Sequence, residues 1–147
     1  MTTNILLDSS FLFALNSPKD DKHLASLQVS LLKNIKYLIP DVALTEVTYL
    51  MQRDSGLGQK AVLEFLKMIS TSSFILLPVI KEDIGRAYEV MAEYSDAKLD
   101  FVDCCIFALA ERLKIIHICT FDMRDFRMFR PKHVNHFTLL PVDLPQK

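Results

Sequence analysis

Asp8, Glu46, Asp103 and Asp122 are far apart in the chain, yet each falls where a strand is expected to end or a helix to begin. Elements of that kind can share one edge of a parallel sheet, which would bring the four side chains together. Such a cluster is costly, because two carboxylates about 4 Å apart repel by roughly 1 kcal/mol in water and several-fold more at a lower effective dielectric. Either some are protonated or a cation neutralises them. No His or Cys ligand set accompanies them, so an all-oxygen site is expected to take a hard ion, Mg²⁺ or Mn²⁺, rather than zinc. That chemistry suits phosphodiester hydrolysis: the ion polarises the phosphoryl oxygen, activates a water and neutralises the departing oxygen.

The elements that must position these groups are readable in the pattern. Asp8 closes the apolar run Ile5-Leu6-Leu7 and precedes Ser9-Ser10 and a helical stretch from Phe11 to Leu15, so the chain turns there from strand to helix. Asp122 holds the same place after Ile115-Ile116-His117-Ile118-Cys119-Thr120, a β-branched run too short for a helix. Glu46 and Asp103 lie in the opening turns of helices that begin at Asp41 and Asp100, each placed to serve as an N-cap.

Between them, a polar break from Asn16 to Asp21 leads into a helix reaching about Lys33, with Leu24, Leu27, Leu31 and Leu32 on its apolar face. Tyr37-Leu38-Ile39 is a strand, and Asp41 to Met51 the helix carrying Glu46. Ser55-Gly56-Leu57-Gly58 then precedes a helix with the stripe Val62, Phe65, Leu66 and Ile69. Phe74 to Leu77 is a strand, and the helix from Glu82 to Tyr94 is expected to bury Ile84, Ala87, Tyr88 and Met91. A helix from Asp100 to Lys114 enters the strand ending at Thr120, and Phe137 to Leu140 form the last strand. This alternation predicts a three-layer α/β/α sandwich with a mostly parallel central sheet. Sheets of that kind bind ligands beyond the carboxyl ends of their strands, at the topological switch point.

A length of 147 residues, half of them hydrophobic, makes one domain spanning 1–147 the expectation. No apolar stretch reaches the length of a membrane span, and Met1-Thr2-Thr3-Asn4 leads directly into a strand, so a cytoplasmic protein is expected. Cys104, Cys105 and Cys119 fit buried reduced thiols rather than a disulfide framework. The glycines, Gly56, Gly58 and Gly85, leave the first strand without a phosphate-cradling loop, which excludes a dinucleotide or P-loop reading. A net charge of −1 leaves any nucleic-acid contact to local patches.

Taken together, Asp8-Ser9-Ser10, Glu46, Leu99-Asp100-Phe101-Val102-Asp103 and Thr120-Phe121-Asp122 resemble the PIN-domain ribonucleases. Within them the sequence is most similar to the VapC-type toxins of toxin-antitoxin modules. Asp122-Met123-Arg124-Asp125-Phe126, Arg130-Pro131 and Leu139-Leu140-Pro141 strengthen the likeness, which spans nearly the whole chain. It implies a metal-dependent endoribonuclease acting on RNA, with Asp8, Glu46, Asp103 and Asp122 as the acidic pocket for one or two Mg²⁺ or Mn²⁺ ions. Asp8, Asp103 and Asp122 would ligate the metal, and Ser10 and Thr120 would orient a carboxylate or the attacking water. Asp100 would stand behind Asp103. The resemblance also implies an antitoxin protein as partner and a homodimer.

Each signal also has a plainer reading. Asp8 could cap the following helix, Asp100 and Asp103 suit the positive end of a helix, and Glu46 could pair with a buried arginine. Arg124, Arg127, Arg130 and Lys132, interleaved with Phe126 and Phe129, could grip RNA phosphates and stack a base. They could equally form a solvated loop anchored by phenylalanines in the core. His133 and His136 lack a third ligand and read as surface or rim residues. Phe11-Leu12-Phe13 is either a buried helix or a dimer face. The alternative for the whole is a non-catalytic PIN-fold module that binds RNA or protein.

Overall fold

The computed structural model describes residues 1–53 and 57–144. Among them the order is β1 (Thr3–Leu7), α1 (Ser9–Leu15), α2 (His23–Ser30), β2 (Ile35–Pro40), α3 (Asp41–Arg53), α4 (Gly58–Thr71), β3 (Ile75–Leu77), α5 (Lys81–Glu93), α6 (Phe101–Leu113), β4 (His117–Cys119), α7 (Met123–Met128) and β5 (Thr138–Leu140). Of the expected Ser55-Gly56-Leu57-Gly58 connection, Ser55 and Gly56 lie outside the described residues.

The strands lie in the order β3-β2-β1-β4-β5, and every neighbouring pair is parallel. The fold is therefore the expected three-layer α/β/α sandwich, with a wholly parallel sheet. Period-2 alternation divides the strand residues between two cores. Leu6, Leu38, Ile118 and Leu139 face the α5/α6 side, against Ala87, Val90, Phe107 and Leu109. Ile5, Leu7, Tyr37, Ile39, Cys119 and Leu140 face the α1/α3/α4 side, against Phe11, Leu12, Val47 and Phe65. All three cysteines are buried and free. Phe11 and Leu12 are buried in the chain's own core and Phe13 is partly buried against it, which favours the buried-helix reading of that stretch.

Two helices turn differently from their expected faces. α2 ends at Ser30 and buries Ser26 and Val29, while Leu24 and Leu31 are 73% and 77% exposed. α5 buries Asp83, Ala87 and Val90, one position round from the predicted stripe, and leaves Ile84, Tyr88 and Met91 exposed. The cause is ionic. Arg112 reaches both Asp83 oxygens at 2.9 and 3.0 Å, and Ile80 N–H donates to the same carboxylate. Arg86 holds both Glu111 oxygens at 2.7 and 3.2 Å, and Lys132 N–H donates to Glu111 at 2.8 Å. These forked pairs turn the Asp83/Arg86 side of α5 onto α6, so the apolar residues beside it face outward. A smaller departure is Leu66 on α4, exposed beside the buried Val62 and Phe65.

Because both partners of the Arg86–Glu111 pair are largely shielded, Glu111→Gln should cost about 2–3 kcal/mol of stability, since the guanidinium loses its forked partner and keeps only the exposed Glu89 at 3.4 Å. Denaturant unfolding monitored by circular dichroism measures it, and a change below about 0.5 kcal/mol would refute the clamp.

Candidate active site at the carboxyl ends of β1 and β4

The chain runs outward from β1 through β2 to β3, then returns to place β4 on the other side of β1. The switch point is therefore the crevice beyond β1 and β4, where residues 8 and 120–122 emerge. Asp8 N–H donates to Cys119 O at 3.1 Å and holds the two strand ends in register.

Asp8 is buried and its carboxylate accepts from three donors. Phe11 N–H donates to Oδ1 at 2.9 Å, so Asp8 does cap α1 as well as facing the crevice. Ser10 Oγ donates to both oxygens at 2.9 and 3.1 Å, and Thr120 Oγ1 donates to Oδ2. Each hydroxyl is itself oriented from behind: Phe121 N–H donates to Ser10 Oγ and Asp122 N–H to Thr120 Oγ1, both at 2.9 Å. With the hydroxyl oxygens accepting from the backbone, their protons are directed at Asp8.

Asp103 enters from α6. Asp100 Oδ1 accepts Asp103 N–H at 2.8 Å, making Asp100 the N-cap the sequence predicts. Asp41 behaves otherwise: α3 begins at Asp41 itself, and its side chain accepts Val79 N–H at 3.1 Å, tying α3 to the chain after β3. Glu46 projects from α3, half-buried, and among the described residues no arginine or lysine pairs with it. The buried ion-pair reading of Glu46 therefore fails.

The carboxylates feel one another. Burial pushes Asp103 up to about 9, helped in turn by the charges of Asp100, Asp8, Asp122 and Glu46. Burial lifts Asp8 to about 7 against the opposing bonds from Thr120, Phe11 and Ser10, and Asp122 adds to the rise. Asp125 is also raised, by burial and by Asp122, with Arg124 opposing. Asp103, Asp122 and Asp125 each offer an oxygen, and these oxygens lie within 4.8 Å of one another. An all-carboxylate set of this spacing fits a hard divalent cation. Asp8 and Glu46 border that trio rather than belonging to it.

The sequence singled out Asp125 only as part of the motif Asp122-Met123-Arg124-Asp125-Phe126. Asp125 joins the trio because residues 123–128 form a helix, α7, where the sequence suggested a loop, and Asp125 sits in its first turn. Phe126 and Phe129 are fully buried on Phe107, with centroid distances of 5.0 and 4.3 Å, so neither ring is free to stack a base. Arg127 is committed to Asp143 at 2.6 Å, and Arg124 lies 3.3 Å from Asp125. Arg130 is exposed, its guanidinium donating to Arg127 O at 3.0 Å. His136 is exposed, and His133 Nε2 lies 2.8 Å from Ile115 O.

Comparison with known proteins agrees with this geometry. Ribonuclease VapC26 of Mycobacterium tuberculosis is 23% identical over 137 residues, covering 93% of this chain and 100% of that protein. The crystal structure of M. tuberculosis VapC20, a sarcin-ricin-loop-cleaving toxin, superposes with a TM-score of 0.71 at 21% identity, over 78% of this chain and 86% of that one. VapBC2 of Rickettsia felis, bound to a DNA fragment from its promoter, gives 0.65 at 16% identity, over 93% and 97%. The PIN domain family model matches residues 5–130, and with its acidic residues gathered at the switch point of a parallel sheet, the chain belongs to the PIN-domain family.

Proposed function

We propose that this protein is a metal-dependent endoribonuclease of the VapC type, the toxin of a toxin-antitoxin module. The observation that carries the reading is the trio Asp103, Asp122 and Asp125, with oxygens within 4.8 Å of one another, beside a buried Asp8. The likeness to a VapC ribonuclease and to a toxin that cleaves the sarcin-ricin loop supports it. Asp103, Asp122 and Asp125 hold Mg²⁺ or Mn²⁺, Asp8 completes the set from the sheet side, and Glu46 closes the pocket from α3. When bound, the ion supplies Lewis acidity to the phosphoryl oxygen and neutralises charge on the leaving group. Ser10 and Thr120 keep Asp8 in one orientation, and Asp100 fixes the first turn of α6 so that Asp103 cannot turn away. Arg124 and Arg130 meet RNA phosphates at the rim, with Arg127 holding α7 to Asp143.

An antitoxin partner is supported by neighbours solved as toxin-antitoxin complexes, among them one from Klebsiella pneumoniae. A second copy of this chain fits the apolar hollow of about 380 Å³ lined by Ile84, Tyr88, Met91, Ala92 and Phe101. Gly85 lies on the same outward side, with open space where a Cβ would stand, and costs helix stability unless another backbone approaches.

Single-stranded RNA should be cut in Mg²⁺ or Mn²⁺ and spared with chelator present. Asp103→Asn, Asp122→Asn and Asp8→Ala should each lower the rate by about 10²-fold or more, as loss of groups that stabilise transition-state charge does. Full activity in any of them would remove that residue from the assignment. If calorimetry with Mn²⁺ detects no binding, the non-catalytic module is the better reading.

Stability gives an independent check. Because Asp8 and Asp103 titrate near 7 and 9 when folded and near 3.8 when unfolded, their contribution is fully present below about pH 4 and is lost as pH rises through those two values. The Tm of chelated protein should therefore fall on going from about pH 5 to about pH 9, Mn²⁺ should restore it, and Asp103→Asn should flatten the slope. A Tm indifferent to both pH and Mn²⁺ would contradict the electrostatics. Tyr88→Glu should convert a dimer to a monomer in light scattering, and an unchanged mass would exclude the α5 face.

A further inference from the structure

We infer that Phe121 and Lys22 form the nucleotide-positioning wall of the acidic site, the ring stacking a base of single-stranded RNA and the ammonium taking an adjoining phosphate. The inference rests on the ribonuclease reading and names where that substrate is held.

Of the phenylalanines that follow β4, Phe126, Phe129 and Phe137 are at most 1% exposed. Phe121 is only partly buried, and it stands between Thr120 and Asp122. Thr120 is directed at Asp8, and the chain bends at Phe121, whose ring lies against Phe11 at 5.8 Å and 17°. Phe11 is fully buried and Ser10 Oγ holds Phe121 N–H, so the ring is fixed from behind and from its backbone. A prefixed aromatic ring binds a base at little entropic cost, and it is tolerant of base identity because every base has a π-face.

Lys22 arrives from the α1–α2 connection, with Nζ 5.9 Å from the Phe121 centroid. Its backbone is tethered: Lys22 N–H donates to Asp20 Oδ1 at 2.8 Å, His23 Nδ1 lies 2.8 Å from Ala14 O, and Ser17 Oγ donates to Phe13 O at 2.6 Å. Among the described residues it makes no ion pair. A polyanion approaching an acidic pocket needs cations at the rim; on the α7 side Arg124 and Arg130 supply them, while Arg127 is held by Asp143. Lys22 supplies an unengaged charge on the Phe121 side, and its flexible stem lets the ammonium leave the ring for a phosphate when a base arrives. Cation beside aromatic is the combination by which proteins grip single strands.

The test uses the full chain and a short fluorescent single-stranded RNA, cut in Mg²⁺ and, separately, bound in chelator. Phe121→Leu should raise KM about tenfold with kcat within about twofold of wild type, and Phe121→Tyr should recover it. Lys22→Ala should raise KM about threefold and make binding less steeply dependent on salt, with Lys22→Arg recovering both. Lys22 is on the exposed surface, so its variants decide the matter should Phe121→Leu fail to fold. Wild-type protein that cuts RNA while Phe121→Leu and Lys22→Ala keep its KM and salt dependence overturns this inference alone. A fall confined to kcat does the same, and wild-type protein that neither binds nor cuts RNA overturns the ribonuclease reading with it.

Discussion

The seam between the ends of β1 and β4 is the constraint on which the rest of the site depends. Strands so far apart in sequence meet at the centre of the sheet, and their last backbone bond passes directly into side-chain bonds across the crevice. Ser10 and Thr120 act as two-sided connectors, each accepting a backbone N–H from the β4 side and donating to Asp8. A buried carboxylate is tolerable only when its lone pairs are met, and here they are met by groups whose own orientation is fixed. The placement of Phe121 and Asp122 follows from the same bonds.

Opposing that seam is the mutual repulsion of the acidic groups. Asp103 is raised by burial and then by Asp100, Asp8, Asp122 and Glu46, whereas the paired ions elsewhere are arranged to cancel: Glu111 is held below the ordinary carboxylate value by Arg86 and Lys132 despite its burial. The α5–α6 layer thus has matched charges at the Glu111 end of α6 and unmatched ones at the Asp103 end. Unmatched charge is a cost to the fold alone, and it becomes useful only when something positive enters.

Much of this was legible in the amino-acid order, for physical reasons. Strand runs such as Ile5-Leu6-Leu7 are buried on both faces and read as continuous apolar segments, and an aspartate directly after one must lie at the sheet edge. The cap at Asp100 was readable because capping is local, whereas Asp41 was misread because its partner, Val79, is distant in sequence. Periodicity failed on α5, where two forked ion pairs outweighed the burial of Ile84, Tyr88 and Met91, since a buried charge can be satisfied only at its partner while an apolar side chain can wait at the surface. At residues 123–128 the core anchoring of Phe126 and Phe129 was one of two readings and holds, but the short helix that carries Asp125 was not foreseen.

The central position of β1 also has a consequence for the moment of synthesis. Asp8 closes β1, while Thr120, which holds its carboxylate, is 112 residues further along and is made correspondingly later. A nascent chain cannot assemble the crevice until β4 has emerged and inserted beside β1, so no partly made copy carries the assembled site.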